Sequence, residues 1–341
     1  MAHTAREDLA AAATSRRREL EIRLHDRWRP EHDRLAERLG APGNPFAQAL
    51  WLRTWYDHVA GRKGMAPLIV QAHEAGAPDP LMILPLVRQR HDGLDVITFA
   101  DAGLTDYNTP LPHPAFDADP GIMKRLFRQL RRCLPKADLL LLEKMPCQLA
   151  NGRANPLALL PGVRPANLRG HPVVIEEDWE SYWSGLKRKF VKDQARRWRV
   201  MGKMGEVTCS FVTDAEEAME LFGVLLHQQR ERQRRLGRPY LLDDPVMSGF
   251  YARLLREGLA DGRVLFSVLW LDDDPVATLI GIAREDHYLM TLPGNNFGDV
   301  ARAAPGRLLT ECTMRELHAR GFRVLDFSIG SERYKDDFRA A

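Results

Sequence analysis

Asp326, Glu332, Tyr334 and Lys335 stand in one run, Asp326-Phe-Ser-Ile-Gly-Ser-Glu-Arg-Tyr-Lys335, which offers two carboxylates, a phenol and an ammonium. Asp326 falls near the end of an apolar segment, Phe322 to Phe327, that reads as a strand. Ligands of open α/β sheets bind outside the carboxyl ends of the strands. A carboxylate there can act as a base, orient a nucleophile or bind an acceptor, and it also fits a solvated turn. The Tyr334 phenol can serve as a general acid or simply pack. Upstream, Pro305 and Gly306 open a segment whose Leu309, Cys312 and Leu317 are spaced for one helix face. Proline in a first turn forfeits no hydrogen bond, and Gly306 leaves the neighbouring amides bare. Unpaired N–H groups and the helix dipole together attract anions.

These groups need a frame. His287 to Leu292 alternates like a strand and runs into a Gly/Asn-rich loop before Pro305. A helix is predicted over 306–320, stopped at Gly321, and the strand carrying Asp326 follows. Strand, anion-ready turn, helix and strand form a frame for a phosphate-bearing cofactor.

The second half reads backwards from there as strand 206–212, a long helix 214–236 capped by Asp214, helix 245–260, and strands 264–271, 276–283 and 287–292. The first half shows the same order. It has a strand at 20–24, helices from Pro30 to Gly40 and over 46–60, strands at 67–71, 81–88 and 94–99, a helix at 120–133 and a strand at 137–142. Both halves read β-α-α-β-β-β-α-β, an α/β (α+β) class with two copies of one fold. The expected divisions are an N-terminal tail over 1–19, a domain over 20–150, a Pro/Gly/Asn-rich linker over 151–178, and a domain over 179–341 carrying the cofactor site.

Composition narrows the function. At 341 residues and 45% hydrophobic content the chain can bury two cores. A net charge of +3 gives no global basic field, which argues against DNA as a partner. Cys133, Cys147, Cys209 and Cys312 have neither CxxC pairing nor zinc spacing, so no metal site is expected and a reducing, cytoplasmic compartment fits. No apolar run approaches the ~20 residues that span a bilayer. HExxH and GxSxG are absent, which removes the common zinc and serine hydrolase patterns.

Further residues carry a resemblance: Asn44-Pro-Phe46 with Trp51 and Trp55, Ile83-Leu-Pro-Leu86, Asp106-Tyr107 with Pro110-Leu111, Leu226-His227 with Arg230, Pro305-Gly306 with Leu308-Leu309, and the run from Asp326 to Lys335. In this order, over about residues 20 to 335, they resemble the GNAT acyltransferases. The branch resembled is the CelD/BcsL-like acetyltransferases, related to the FemAB-like proteins with tandem GNAT domains. The D-F-x-x-G-x-E-x-Y-K run is the most specific element. The resemblance implies tandem GNAT-like domains, each a mixed central sheet flanked by helices. It also implies transfer of an acetyl or other acyl group from CoA to an amine or hydroxyl, the thioester carbonyl being polarised by backbone amides of the central sheet. The cofactor set it implies is Pro305, Gly306, Arg307 and Leu308, with Leu292 on the preceding strand. Asp326 would orient the acceptor or act as base, Tyr334 would be the acid, and Lys335 would hold an anionic group of acceptor or cofactor. Asp106, Tyr107, His227, Arg230, Tyr288 and Glu332 would meet a small-molecule, glycan-linked or peptide acceptor, although His227 also fits a structural helix histidine.

The sequence departs from the family pattern twice. Of the pyrophosphate signature R/Q-x-x-G-x-G/A, Ala301-Arg-Ala-Ala-Pro-Gly306 keeps the last glycine alone, with Arg302 one position off register. The chain also ends six residues after Lys335, where a GNAT domain continues into its final strands. Two rival readings stand beside the acyl-CoA one. Lys187 to Lys203 sets Arg188, Lys192, Arg196, Arg199 and Lys203 opposite Trp183, Leu186, Phe190, Trp198 and Met201. This amphipathic helix is either a solvated face or a platform for an anion. Under a FemAB-like aminoacyl transfer it would receive charged tRNA. The other rival is a non-catalytic GNAT-fold binding protein.

Overall fold

The computed structural model describes residues 19–39, 43–62 and 64–340, so the expected N-terminal tail lies outside the described residues except for Glu19. The chain divides into two compact units, the first of residues 1–42 and 47–166, the second of 43–46 and 167–341.

In the first unit, β1 (Leu20–His25), β2 (Met65–Glu74), β3 (Met82–His91) and β4 (Leu94–Phe99) form an antiparallel run, with the short β5 (Leu111–Pro112) beside β3. β6 (Leu139–Leu141) adds in parallel to β4. Helices α1 (Pro30–Leu39) and α2 (Ala49–His58) sit between β1 and β2 in sequence, and α3 (Pro120–Cys133) precedes β6. α3 forms where Asp119 can cap it and Pro120 can start it. It buries Met123, Leu126 and Leu130, one stripe at helical spacing, in the core with Leu84 and Phe99. On α2, Trp51 and Trp55 are fully buried. Their indole N–H groups donate to Thr105 Oγ1 at 3.2 Å and Asp101 O at 3.1 Å, fixing the loop after β4.

The second unit repeats the β-α-α-β-β-β-α-β order, preceded by one further strand and two helices. β8 (Val207–Val212), β9 (Val264–Leu271), β10 (Asp274–Arg284) and β11 (His287–Asn295) run antiparallel, and β12 (Val324–Asp326) joins β11 in parallel. β7 (Pro172–Val174) pairs antiparallel with the far side of β12. β7 thus covers the outer edge of β12. This strand lies inside the segment expected as linker, which also holds a 3-10 turn at Pro156–Leu159. Helix α4 (Trp179–Gly185) is a second element the sequence pattern does not announce.

α5 (Arg188–Met201), α6 (Ala215–Arg235), α7 (Pro245–Gly258), α8 (Pro305–Ala319) and the short α9 (Tyr334–Asp337) complete the unit. α4, α6 and α7 start at Asp178, Asp214 and Asp244, each accepting first-turn N–H groups as its spacing requires. α5 has the expected two faces. Phe190 and Met201 enter the core, while Arg188, Lys192, Arg196 and Arg199 lie outside. The core gathers Tyr288, Leu308, Met314, Leu317, Leu325, Phe327 and Phe338, all buried. No helix among the described residues is long and apolar enough to cross a membrane.

Candidate active site

The geometry of β11 and β12 creates an opening in the sheet. The two strands pair through His287, Tyr288 and Leu289, opposite Val324, Leu325 and Asp326. β12 ends there, whereas β11 continues from Met290 to Asn295 with that edge unpaired by a strand. A bulge re-aims the backbone where the strands part. Ile280 pairs with Leu292 and Gly281 with Met290, so Thr291 has no opposite number. Its hydroxyl donates to Ile280 O at 2.9 Å. Two glycines make room for this arrangement. A Cβ at Gly281 would lie 2.2 Å from the Tyr288 ring, and one at Gly294 would lie 2.6 Å from Gln228 Oε1 on α6. α6 therefore packs close against the free end of β11.

β11 leads through a 3-10 turn (Gly298–Ala303) into α8. Ala304 takes a left-handed conformation (φ 51°) at the helix start and provides no side-chain cap, and Pro305 takes the first helical position. The N–H groups of Arg307 and Leu308 turn back onto Ala304 O, at 2.9 and 3.4 Å, which narrows the expected amide set. Gly306 N–H has no partner among the described residues. The Arg307 guanidinium is paired with Asp337 and lies 4.0 Å from Asp193, so its charge is already engaged. The corresponding helix of the first unit, α3, begins differently. The Asp119 carboxylate accepts from Gly121 N–H at 2.6 Å and Ile122 N–H at 2.9 Å. A carboxylate stands there where α8 offers an open amide. In that unit β4 also ends at Phe99, one residue past its last pair with β6 at Thr98.

The run from Asp326 to Lys335 is a self-locked loop. The Asp326 carboxylate accepts Ser328 N–H at 2.7 Å, holding Ser328 at φ 63°. Gly330 has φ 135°, and a Cβ on it would lie 2.3 Å from Glu332 Oε2, so glycine is required there. Lys335 is buried, and its Nζ donates to Ile329 O at 2.9 Å and pairs with Glu332 Oε2 at 3.0 Å. The ammonium expected to hold a ligand anion faces into the loop instead. Burial works to raise the Glu332 carboxyl, but the Lys335 hydrogen bond and the positive charges of Lys335 and Arg232 outweigh it and hold the group below its usual range. Tyr334 packs edge-on to Phe327, with ring centroids 5.6 Å apart. Burial, then the Glu332 charge, pushes its phenol up to about 12, opposed by Arg232 and Arg307.

The other expected residues divide. Leu292 lies in the bulged part of β11, at the opening. Tyr288 is fully buried, its ring against Gly281, and it belongs to the core instead of an acceptor pocket. The alternation that marks a strand does not say which of its faces is covered on both sides. His227 is exposed on α6, and Arg230 is paired with Asp243 at 2.7 Å. Asp106 and Tyr107 lie in the first unit, on the loop after β4. That loop is organised by Asp101, which accepts from Gly103 and Thr105 N–H and from Asn108 and Lys144. Sequence reasoning missed Gln228 and Gln229, which fasten α6 to the free end of β11. Gln228 Nε2 donates to Pro275 O and Asn296 Oδ1, and Gln229 Nε2 to Pro293 O. A pair of glutamines continuing the apolar stripe of Leu221, Phe222 and Leu225 was the available signal.

A six-strand mixed sheet opened between a parallel pair, a bulge on the longer strand and an uncapped helix directly after it are now in place. Residues 188–336 match the family model for the acetyltransferase (GNAT) domain. The chain has the tandem GNAT fold. Three solved structures share it over nearly all of both chains. The crystal structure of FemX has a TM-score of 0.62 at 9% identity, covering 94% of this chain and 94% of FemX. A conserved protein of unknown function from Bacteroides thetaiotaomicron VPI-5482 has a TM-score of 0.54 at 12% identity, covering 94% and 96%. A tandem GNAT protein from the clavulanic acid biosynthesis pathway, solved without AcCoA, has a TM-score of 0.50 at 12% identity, covering 94% and 95%. No curated protein matches the sequence. At these identities the likeness shows the fold, and residues 188–336 are similar to the GNAT acetyltransferase domain.

Proposed function

We propose that the chain is an acyl-CoA-dependent N- or O-acyltransferase of the CelD/BcsL-like kind, working in a cytoplasmic setting consistent with its four free cysteines, and that its second unit holds the acyl-CoA. One contrast carries this reading. The two units share an order of elements, yet the second has a long unpaired strand edge and an uncapped helix start where the first has a closed strand pair and the Asp119 carboxylate. An oxyanion fits an open amide at a helix start and is repelled by a carboxylate already there. In this reading Gly306 N–H meets the pyrophosphate, while the backbone around Thr291 and Leu292 meets the acyl carbonyl. Acyl-CoA supplies an activated thioester. Asp326 takes up or orients the proton of the attacking amine or hydroxyl, and the Tyr334 phenol, protonated across the neutral range, donates a hydrogen bond to the departing sulfur. Lys335 shapes the loop that places both.

The test is equilibrium binding of acetyl-CoA and longer acyl-CoAs, followed by release of free CoA thiol in the presence of a panel of amines, hydroxyl compounds and peptides. Saturable binding with acceptor-dependent thiol release is expected; a folded protein that binds no acyl-CoA overturns the reading. One observation favours a second reading, aminoacyl transfer from charged tRNA. Lys187, Arg188, Lys189, Lys192, Arg199 and Lys203 are exposed and form no ion pair among the described residues. Binding of charged tRNA that weakens steeply with salt, without acetyl-CoA binding, would select it.

A further inference from the structure

α6 ends in a cluster of arginines, and the structure gives them different tasks. Arg230 pairs with Asp243, while Arg234 and Arg235 both pair with Glu231. Arg232 is half-buried and makes no ion pair or side-chain hydrogen bond among the described residues. A half-buried guanidinium with no direct hydrogen-bond acceptor can take a strong charge-assisted one from a ligand. Its position is well fixed. Gln228, Arg232 and Arg235 follow one another at i, i+4 and i+7, along one stripe of the helix. The first of these binds Asn296 Oδ1, and the last lies 4.4 Å over the Phe297 ring. Arg232 therefore sits over the free end of β11, and it lies within electrostatic reach of Glu332 and Tyr334 on the loop after β12. Two other cations near this mouth are committed elsewhere: Arg307 to Asp337, and Lys335 to its own loop.

We propose that Arg232 is an acceptor-binding residue and that the acceptor carries an oxyanion, a carboxylate or phosphate, close to the group that is acylated. This rests on the acyltransferase reading and specifies its acceptor class. The planar guanidinium fork binds either oxyanion in two-pronged fashion. Glu332, on the same side, repels a second negative charge and favours an acceptor that also presents a cationic or neutral amine. The acceptor class is thus an amine or hydroxyl compound bearing one acidic group.

The experiment uses the full chain loaded with acetyl-CoA and follows the arginine Nε–Hε signals by NMR. Inorganic phosphate, glutarate and the uncharged glutaramide are added in turn, with ionic strength matched by chloride. The Arg232 signal, assigned by its loss in Arg232→Gln, should shift saturably with glutarate or phosphate and stay still with glutaramide. Which anion acts separates the two oxyanion sources. In Arg232→Lys, which keeps the charge and loses the fork, the affinity for the effective anion read by isothermal titration should fall about tenfold or more, and the variant controls for folding. Acetyl-CoA affinity is measured alongside in each variant. Normal acetyl-CoA binding with no anion-specific shift at Arg232 overturns the acceptor assignment and leaves the acyltransferase reading intact. An anion shift without acetyl-CoA binding keeps the anion site and overturns the reading beneath it.

Discussion

Replacing Gly306 by aspartate should separate stability from cofactor binding, with opposite signs. Gly306 is in the first turn of α8, in ordinary helical conformation, and a Cβ there would approach nothing nearer than Asn295 Oδ1 at 3.4 Å. The helix therefore accepts a side chain. An acidic group in a first turn gains about 0.3–1 kcal/mol from the helix dipole, and removing a helical glycine adds roughly up to 1 kcal/mol more. The folded chain should be as stable as the wild type or slightly more so. Binding should move the other way, because the new carboxylate stands where a pyrophosphate would meet Gly306 N–H. Two unit charges about 6 Å apart at an effective dielectric constant near 20 repel by roughly 3 kcal/mol, on the order of 100-fold in affinity. The first unit already shows this arrangement in Asp119. Thermal unfolding and isothermal titration with acetyl-CoA read the two quantities. A folded Gly306→Asp variant with wild-type acetyl-CoA affinity refutes the placement of the cofactor.

Asp326→Asn keeps an oxygen to accept Ser328 N–H, so the loop should survive while turnover on the true acceptor falls about 100-fold and acyl-CoA still binds. Tyr334→Phe should cost roughly 10–100-fold without moving the alkaline limb of the pH profile, since a phenol near 12 stays protonated below it; if both variants keep wild-type turnover, the site assignment is wrong. Gly281→Ala forces a methyl into the buried Tyr288 ring and should destabilise the second unit by about 1–3 kcal/mol in denaturant titration; an unchanged midpoint would show that the ring can move. In the first unit, burial and then the neighbouring His25 charge lower His32 to about 4. A histidine that is harder to protonate when folded contributes stability above its unfolded pKa of about 6.5, and this is lost as the pH falls from there toward 4, at most roughly 3 kcal/mol. His32→Gln should flatten that acid-side slope, and an unchanged slope would assign the acid sensitivity to other groups.

The sequence carried most of the frame because its elements announce themselves locally. Asp119 before Pro120 and Asp214 before an apolar-periodic run mark helix starts through their own hydrogen bonds. β9 and β10 declare themselves as short continuous apolar runs. β7 escaped notice because it is three residues long and stabilised by pairing with β12, a partner distant in sequence. The site was legible in type more than in orientation. Asp326 at the end of β12 and Tyr334 and Lys335 at the start of α9 do flank one loop, but whether an ammonium faces a ligand or its own backbone depends on the turn at Ser328 and Gly330. Arg230 and Arg232 are nearly indistinguishable in sequence. Their difference lies in Asp243, a neighbour that α6 meets only after the chain has turned back.

The central claim places acyl-CoA in the second unit, at the parting of β11 and β12. A crystal structure grown with acetyl-CoA tests it most directly. The account predicts the pyrophosphate at Gly306 N–H and the acyl carbonyl beside the Thr291 bulge, with no cofactor at the Asp119-capped start of α3. Cofactor bound at α3, or a fully ordered second unit with none bound at saturating acetyl-CoA, would contradict it.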